Sequence, residues 1–392
     1  NSSAASDVYK RQAKNSEYAK IAIDLALGRG GDQVVLKDGS KIQYFGGKTQ
    51  AVEKNTRVKA RVKAHALKEF MNTKEKVVVM GHRLPDADSF GAAIGIYRAA
   101  KTLNKKAYIV IDNPTSSIIP LMNTFSDNQD YEADMFVNNH EAKEIMDDNT
   151  LLVVVDTNKP SITQCEDLLY MAKMIVVLDH HRQGSDTIRN SVLSYIEPYA
   201  SSASEMVAEI LQYFTEGIRI RNVEADSIYA GIMIDTNNFV NSTGVRTFEA
   251  AAFLRRSGAD ITLVRKLFRD DMESYRAKAE IISSAEVYRN KFAIARGVDL
   301  HIESPTIIGA QAANELLDIS AIKASFVLTE YNGRIYVSAR SIDEVNVQII
   351  MERLGGGGHM NASGAQFNHT DMDEAVACLK QVIDEMIEGG DL

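Results

Sequence analysis

Aspartate and histidine residues end several strongly apolar segments of this sequence. The segment VVLDHHRQG carries Asp179, His180 and His181 after an apolar run, and LLVVVD ends in Asp156. A carboxylate at the end of a buried strand is costly to keep charged unless a partner compensates it. These side chains therefore either lie in polar loops and cap helices, as Asp156 could for the following KPSITQ, or they bind metal ions together.

A second cluster of this kind lies in the segment GHRLPDADS, which supplies His82, Asp86 and Asp88. Pro85 prevents a continuous helix between the histidine and the carboxylates, so the segment must form a loop. A helix that begins near Ser89 would leave its first amide groups available to anionic groups. One imidazole and two carboxylates suit Mn²⁺, Fe²⁺, Co²⁺ or Zn²⁺. Taken alone, however, a plain polar turn explains the same spacing.

The elements that would position these residues follow a repeating order. Apolar segments rich in β-branched residues, KVVVMGH, AYIVIDN, TLLVVVDT and MIVVLDHH, alternate with segments of helical periodicity such as SFGAAIGIYRAAKTL. This alternation predicts an α/β fold with a parallel sheet that helices cover on both faces. Ligands of such sheets bind beyond the carboxyl ends of the strands. The acidic and imidazole side chains are therefore expected to meet at one edge of the sheet.

The combined set grows to four carboxylates and two imidazoles when the aspartate that ends the apolar segment IMID is included. The candidate metal ligands are His82, Asp86, Asp88, Asp156, His180 and Asp235. Four carboxylates this close would repel each other unless cations neutralised them. Two divalent ions would do so, and a pair of ions is suited to an in-line displacement at phosphorus.

Bulk composition sets limits on the function. The chain has 392 residues, enough for two or three domains. Its net charge of −9 argues against a protein that grips long nucleic acid through phosphate contacts. Cys165 and Cys378 are far apart in sequence and form no disulfide framework, which indicates a reducing cytoplasm. No apolar run reaches the roughly 18 to 20 residues of a membrane-spanning helix.

Changes of pattern along the chain suggest five regions. Residues 1–12 are polar and patternless and are expected to be a non-native or scar segment. Residues 13–55 contain a short helical pattern and two short strands around an Asp-Gly turn, too little apolar sequence to fold alone. Residues 56–72 are predicted to form a basic amphipathic linker helix, with a solvated face preferred to a nucleic-acid patch. An α/β domain over 73–290 and a smaller α/β domain over 291–392 complete the chain.

Four motifs, GHRLPDADS, VVVDT, LDHHR and IMIDTNNF, resemble in order and spacing those of the DHH phosphoesterase family. The smaller domain, with LGGGGHMNASG, resembles the DHH-associated substrate-binding domain, and the likeness covers roughly residues 75–390. Segments such as EPYASSASEMVAEIL and NNFVNSTGVRTFEAAAFLR resemble the GdpP-type cyclic di-AMP phosphodiesterases of this family. In those proteins membrane helices, a PAS domain and a degenerate GGDEF domain precede the catalytic pair. The resemblance thus implies that 13–55 is a GGDEF-like remnant and that the full-length protein is membrane-anchored, with this part in the cytoplasm.

The resemblance also implies a division of the candidate ligands between two Mn²⁺ ions, with Co²⁺, Fe²⁺ and Mg²⁺ as the other candidate metals. The first ion would be held by His82, Asp86 and Asp156. The second ion would be held by Asp88, Asp156, His180 and Asp235, so that Asp156 bridges the two. A water between the ions would become the attacking hydroxide.

Further residues receive catalytic and substrate-binding roles from the same resemblance, around an active-site cleft between the two domains. His181 would contact the phosphate or protonate the leaving 3′ oxygen, while Asp179 would orient the neighbouring histidines. Glycines would let the glycine-rich segment approach a phosphate or base closely, although a flexible hinge is the alternative. Arg246 would pair either with a phosphate or with Glu249. The predicted substrate contacts are Arg246, Ser338, Arg340, Gly356, Gly357, Gly358 and His359.

Two activities fit the resemblance. The first is hydrolysis of cyclic di-AMP to linear pApA, and the second is a nano-RNase or 3′,5′-bisphosphate nucleotidase activity on short oligonucleotides. The metal ligands do not distinguish them, but the GGDEF-like remnant favours the first. A nucleotide sensor without activity is disfavoured because all six ligand positions carry suitable residues. The expected partner is a cyclic dinucleotide, with no long nucleic acid and no membrane contact by this part of the protein, and a homodimer is expected.

Overall fold

The structure is a computed structural model of the chain. It describes residues 56–389 except 127, 185, 270, 299, 301, 303, 343, 344, 359 and 369, and further upstream only 15, 18, 19, 22, 23, 33–38 and 41–46. The chain divides into two compact units, Asn1–Phe268 and Arg269–Leu392. None of the helices that the structure describes is long and apolar enough to cross a bilayer.

Two strands upstream of the first α/β domain pair in antiparallel register, as the sequence predicted. Strand β1 (Gln33–Asp38) and strand β2 (Lys41–Gly46) run past each other so that Gln33 lies opposite Gly46. The predicted scar segment 1–12 and most of the helical pattern before β1 lie outside the described residues.

A parallel six-stranded sheet forms the centre of the first unit. Its strands are β3 (Lys76–Met80), β4 (Lys106–Val110), β5 (Phe136–Val137), β6 (Thr150–Val155), β7 (Ile175–Asp179) and β8 (Leu193–Ile196). Their order across the sheet is β5-β4-β3-β6-β7-β8, and each neighbouring pair is parallel. Strand β6 is buried along its whole length, as expected for a strand that is covered on both faces.

Helices cover both faces of this sheet. They are α1 (Thr56–Asn72), α2 (Ala87–Thr102), α3 (Ile119–Ser126), α4 (Asn139–Ile145), α5 (Asp167–Met171), α6 (Ala203–Phe214), α7 (Asn222–Asp235), α8 (Val245–Arg256), α9 (Ile261–Leu267) and a 3₁₀-helix, Pro160–Ile162. Val77 and Val79 of β3 join a core with α1, α2, α6 and α7. The alternate residues Val78 and Met80 join a second core with α4 and α5. The predicted doubly covered parallel sheet is confirmed.

The basic segment before the sheet forms helix α1, as predicted. One side of the helix buries Ala60, Ala64, Leu67 and Met71. Basic residues such as Lys59 and Arg61 lie on the exposed side. The helix is therefore packed along one face and solvated along the other.

A mixed sheet organises the second unit, with strand order β13-β14-β12-β11-β10-β9. Its strands are β9 (Glu286–Tyr288), β10 (Phe292–Gly297), β11 (Ala324–Tyr331), β12 (Arg334–Ser341), β13 (Gly357–Gly358) and β14 (Ala362–Asn368). Strands β10 and β11 are parallel, and the other described pairs are antiparallel. Its helices are α10 (Met272–Ser283), α11 (Pro305–Leu316), α12 (Val347–Arg353) and α13 (Met372–Glu388).

The second unit begins earlier than the boundary between residues 290 and 291 that the sequence suggested. Helix α10 packs Ala277 and Ile281 against Ile308 and Ala312 of α11. Val327 of β11 belongs to the same core. Because α10 shares its apolar contacts with the second sheet, it folds as part of the C-terminal unit.

Candidate metal centre

The loop after β3 holds His82 through main-chain contacts. His82 forms an isolated antiparallel bridge with Thr163. Next to this bridge, Gln164 N donates a hydrogen bond to Gly81 O at 2.8 Å. His82, the first predicted ligand, is therefore held against the segment that follows β6. The parallel sheet places the ends of β3 and β6 side by side.

Asp86 lies at the N-cap of α2 and presents its second oxygen to His82. Its Oδ1 accepts a hydrogen bond from Ser89 N at 2.9 Å. Its Oδ2 lies 3.5 Å from His82 Nε2. Capping a helix and binding a metal are compatible roles here because they use different oxygens of the carboxylate.

Asp156 follows β6 directly and lies between two imidazoles. Its φ of 57° is in the left-handed region, which is uncommon for residues other than glycine. Its Oδ2 lies 3.3 Å from His82 Nε2, and its Oδ1 lies 3.4 Å from His180 Nε2. The Oδ1 is buried and accepts no hydrogen bond from the described residues. The 3₁₀-helix that follows has Lys159 at its N-cap, so the helix-capping alternative for Asp156 was wrong.

His180 faces three carboxylates. Its Nε2 lies 3.4 Å from Asp156 Oδ1, 3.6 Å from Asp235 Oδ2 and 3.8 Å from Asp88 Oδ2. Asp235 is the last residue of α7, and Asp88 lies in the first turn of α2. Three groups have ligand atoms that lie within 4.8 Å of one another. Two consist of predicted ligands only, namely His82, Asp86 and Asp156, and Asp88, His180 and Asp235; the third, Asp156, His180 and His181, adds His181. The structure thus brings all six predicted ligands together.

Asp88 is buried at the N-terminus of α6, a contact that the sequence analysis missed. Its Oδ2 accepts a hydrogen bond from Ala203 N at 2.7 Å, and its Oδ1 accepts one from Ser204 N at 2.8 Å. A Cβ atom on Gly91 of α2 would lie 2.7 Å from Ser204 Oγ of α6, and one on Gly231 of α7 would lie 2.2 Å from it. Glycine at both positions therefore allows α2 and α7 to approach α6 this closely. The helix N-terminus stabilises the negative charge, and each oxygen retains a lone pair for a metal.

Repulsion among the carboxylates appears in their pKa values. Burial, with the charges of Asp156 and Asp235, raises the pKa of Asp88 well above its usual range. Burial also raises the pKa of Asp235 to about 7, against the opposing effect of His180. The pKa of Asp156 is lowered, because its contacts with the imidazoles outweigh its burial. The group therefore holds more negative charge than its own side chains can accommodate.

The imidazoles respond in the opposite sense. Burial lowers the pKa of His82, but contacts with Asp156 and Asp86 outweigh burial and raise it to about 10. The pKa of His180 is raised well above its usual range, since contacts with Asp156 and the charge of Asp235 likewise outweigh burial. Divalent ions bound at these atoms would replace protons as the neutralising charges. The mixed imidazole and carboxylate donors fit Mn²⁺, Fe²⁺, Co²⁺ or Zn²⁺.

His181 and Asp179 form a pair beside the six ligands. Asp179 ends β7 and is fully buried. Its Oδ1 lies 2.8 Å from His181 Nδ1 and accepts a second hydrogen bond from His181 N at 3.1 Å. Burial lowers the pKa of His181, and the contact with Asp179 raises it above its usual value overall. The aspartate thus orients His181, whose Nδ1 also lies 3.5 Å from Asp156 Oδ1, while His180 Nε2 faces three carboxylates of the ligand groups.

Asn158 holds this pair, and the sequence analysis did not identify it. Its side chain is buried, with 2% exposed. Its Nδ2 donates to Asp179 Oδ2 at 2.5 Å and to His181 O at 3.2 Å. The available signal was the position of the amide in the segment VVVDTN, two residues after a predicted ligand at a strand end.

Family comparison agrees with this arrangement. Residues 76–232 match the model of the DHH family, N-terminal domain, and residues 294–385 match that of the DHHA1 domain. Together the two matches cover more than half of the chain. The chain belongs to the DHH family.

Individual relatives include named cyclic-di-AMP phosphodiesterases and a named oligoribonuclease. The chain is 44% identical over 379 residues to the cyclic-di-AMP phosphodiesterase GdpP of Bacillus subtilis and 40% identical over 378 residues to the cyclic-di-AMP phosphodiesterase PdeA of Listeria monocytogenes. Each alignment covers 95% of this chain and 57% of the relative. The chain is 26% identical over 333 residues to the bifunctional oligoribonuclease and PAP phosphatase NrnA of Mycoplasma genitalium, covering 81% of this chain and 96% of that protein.

Solved structures share the fold of this DHH chain. An exopolyphosphatase-related protein from Bacteroides fragilis superposes with a TM-score of 0.71 at 22% identity, covering 83% of this chain and 96% of that one. RecJ from Thermus thermophilus superposes with a TM-score of 0.50 at 15% identity, covering 82% of this chain and 54% of that one. At these identities the likeness concerns the fold alone.

Arg246 lies after the part of the chain that the DHH model matches, and it forms ion pairs in the interior. Its Nε donates to Glu209 Oε1 at 2.8 Å and its Nη2 to Glu209 Oε2 at 2.7 Å. Glu205 Oε1 lies 3.7 Å from Arg246 Nε. The predicted phosphate contact is therefore replaced by an internal ion pair, with Glu209 as the carboxylate where the sequence suggested Glu249. The reason is that Glu205 and Glu209 lie one turn apart on α6, which packs against α8.

The remaining predicted substrate contacts lie in the DHHA1 part of the chain. Ser338 and Arg340 are on β12, opposite Gly364 and Ala362 of β14. Burial lowers the pKa of Arg340, whose Nη1 donates to the main-chain oxygen of Ala339 at 2.9 Å. The partly buried guanidinium of Arg340 can still donate hydrogen bonds to an anion.

The glycine-rich segment packs closely against β14. Gly357 and Gly358 form β13, and Gly358 has a φ of 144°. A Cβ atom on Gly356 would come within 2.0 Å of Gly364 O. The hinge alternative is not what the structure shows, because these glycines are held in a sheet. His359, the last predicted contact, lies outside the described residues.

Proposed function

We propose that this chain is a two-metal phosphodiesterase that hydrolyses cyclic di-AMP to linear pApA. The observation that carries the proposal is the position of Asp156, which forms one ligand group with His82 and Asp86 and lies 3.4 Å from His180 of the other group. The substrate is supported by the 40% and 44% identity to named cyclic-di-AMP phosphodiesterases. The chain spans 57% of the length of those relatives.

The metal ions would be held by the two groups that the structure brings together. His82, Asp86 and Asp156 would hold one ion. Asp88, Asp156, His180 and Asp235 would hold the other. Mn²⁺ is the proposed ion, with Co²⁺, Fe²⁺ and Mg²⁺ as alternatives. When bound, the two ions supply an activated water as the nucleophile and neutralise the charge that develops on the phosphate.

The residues of the chain would then handle orientation and the leaving group. Asp156 has one oxygen beside each imidazole and so suits a bridging role. The oxygen of one water forms a bond to phosphorus, the bond from phosphorus to the 3′ oxygen breaks, and that oxygen takes up a proton. His181, oriented by Asp179, is the proposed donor of this proton or a contact to the phosphate. One water is consumed for each linear product.

Substrate contacts are proposed for the DHHA1 part of the chain. The candidates are Ser338, Arg340, Gly356, Gly357, Gly358 and His359. Arg340 would supply charge, and the glycines would supply main-chain amide groups. Two wider proposals are a homodimer and a full-length protein that is anchored to a membrane with this part on the cytoplasmic side.

A second candidate function is degradation of short oligonucleotides and of 3′,5′-bisphosphate nucleotides. NrnA of Mycoplasma genitalium supports it, because this chain aligns with 96% of that protein's length. The lower identity of 26% over 333 residues ranks this function second. The same metal ligands would serve both reactions.

A parallel substrate assay distinguishes the two functions. The purified chain would receive Mn²⁺ together with cyclic di-AMP, pApA, pAp or pyrophosphate, and ion exchange would resolve the products. We expect cyclic di-AMP to be the preferred substrate and pApA to accumulate. Cleavage of pApA much faster than of cyclic di-AMP would overturn the first function in favour of the second.

A further inference from the structure

We propose that Asn158 is a positioning residue, which holds Asp179 and His181 in the geometry that the reaction requires. The inference rests on the proposed function, in which His181 contacts the phosphate or protonates the leaving oxygen. It adds a residue that lies outside the metal ligands and belongs to a different strand end from the pair it holds.

Both hydrogens of the Asn158 amide are used. One is donated to Asp179 Oδ2 at 2.5 Å and the other to His181 O at 3.2 Å. The opposite oxygen of Asp179 accepts from His181 N at 3.1 Å and lies 2.8 Å from His181 Nδ1. The three residues therefore form a closed ring of hydrogen bonds, which fixes both the main chain and the imidazole of His181. A carboxylate at position 158 would be unable to donate these bonds.

The main chain of Asn158 is itself held on both sides. Two residues earlier, Asp156 N donates to Leu178 O of β7 at 2.9 Å. Ile188 N donates to Asn158 O at 2.9 Å. The amide therefore couples the end of β6 to the histidine that follows β7. A rigid support of this kind is what a reacting group needs, since small displacements reduce the rate strongly.

Within the part of the chain that the structure describes, the side-chain oxygen of Asn158 makes no hydrogen bond that would explain an amide at this position. Asn158 Oδ1 is buried and accepts no hydrogen bond from the described residues. A buried acceptor without a donor is unfavourable, and an apolar side chain of the same size would avoid that cost. An amide at this position is thus explained by the two bonds that it donates to Asp179 and His181.

A double-mutant experiment tests the proposal. Asn158→Leu and Asn158→Ala both remove the donors, and we expect either to lower kcat for cyclic di-AMP about 10- to 100-fold. KM and the Mn²⁺ affinity measured by calorimetry should change little, because no metal ligand is altered. In a His181→Ala background the same substitutions should lower kcat no further. A merely structural role would instead give independent effects in the two backgrounds.

Controls separate positioning from stability and from substrate choice. Thr150→Val alters a buried side chain at the opposite end of β6 and should keep kcat. Wild-type kcat in both folded Asn158 variants, or an undiminished effect in the His181→Ala background, would overturn the proposal. If the wild type does not cleave cyclic di-AMP, the same variants can be compared on pApA, whose 3′ leaving oxygen also needs a proton, so the two failures are distinct.

A crystal structure of an Asn158 variant gives a readout that needs no substrate. We expect the ring of His181 to move while His180 keeps its place among the carboxylates. If Asn158→Leu does not fold, Asn158→Ala serves for the same measurement. A His181 ring that stays in place after loss of the amide would contradict the proposal.

Discussion

Two buried charged clusters lie at successive turns of α6, and their charges are balanced in different ways. At the start of the helix, Ala203 N and Ser204 N bind the carboxylate of Asp88, which belongs to the candidate metal centre. Next along the same helix, Glu205 and Glu209 face Arg246. Both clusters are largely buried, so burial alone does not identify the functional one.

Internal compensation is what separates the two clusters. The carboxylate of Glu209 receives two hydrogen bonds from Arg246, and Glu205 Oε2 accepts one from Thr247 Oγ1 at 2.6 Å. Burial raises the pKa of a carboxyl group in both clusters, Glu209 in the first and Asp235 in the metal centre. The difference lies in the hydrogen bonds, because Asp156 Oδ1 in the metal centre accepts none from the described residues. The first cluster is complete without a ligand, whereas the second gains most from added cations.

The largest expected effect is on kcat, when the metal centre loses the carboxylate of Asp156. Asp156→Asn removes the charge between the two ligand groups, and we expect kcat to fall about 10³-fold or more, since metal ions contribute several kcal/mol to such reactions. Mn²⁺ should also raise the unfolding temperature of the wild type but not that of the variant. Enzyme assays and thermal unfolding with and without Mn²⁺ check both points. Retained activity and Mn²⁺ protection in the variant would contradict the metal assignment.

Apolar periodicity made much of this site predictable from the sequence. Asp156, His180 and Asp235 each follow an apolar segment, and the parallel order of β3, β6 and β7 places the strand ends at one edge. The contact of Asp88 with α6 was not predictable, because it joins residues 115 positions apart. Asn158 was missed because its acceptors depend on how two strand ends approach each other.

The error at Arg246 has a similar physical origin. Sequence proximity suggested Glu249, a partner on the same helix, or a substrate phosphate. The carboxylate that Arg246 binds belongs to Glu209, 37 positions away on α6. Tertiary packing thus decided the partner, and a single sequence does not show which helix faces which.

An intermediate effect, on the unfolding free energy, is expected when the ion pairs of Arg246 with Glu205 and Glu209 are removed. Arg246→Met leaves Glu205 and Glu209 buried without their cation, and we expect unfolding free energy to fall by about 3 kcal/mol. Adding Glu209→Gln should recover part of this loss, because one unpaired charge is removed. Denaturant unfolding measures both variants. The matched comparison is Asp156→Asn, whose main loss should be in kcat and in Mn²⁺ protection. Wild-type kcat and Mn²⁺ protection in Asp156→Asn, or unchanged unfolding free energy in Arg246→Met, would contradict the distinction between the clusters.

The smallest effect is expected at Asp226, a buried carboxylate on α7, the helix that also carries Asp235. Burial raises the pKa of Asp226 to about 6, although its Oδ1 accepts a hydrogen bond from Asp260 N at 2.6 Å. A carboxyl group with a raised folded-state pKa binds more protons in the folded than in the unfolded protein. Its contribution to stability is therefore lost as the pH rises from about 4 through about 6.

Asp226→Asn removes this titration and keeps an oxygen that can accept the bond from Asp260 N. We expect the variant to be more stable than the wild type by about 2 kcal/mol near pH 8 and by much less near pH 4. Thermal unfolding at the two pH values measures the difference, and kcat should match the wild type since Asp226 lies outside both ligand groups. An equal stability difference at both pH values would show that the charge of Asp226 is not the cause. If Asp226→Asn lost as much activity as Asp156→Asn, the loss in Asp156→Asn would not be specific to a metal ligand.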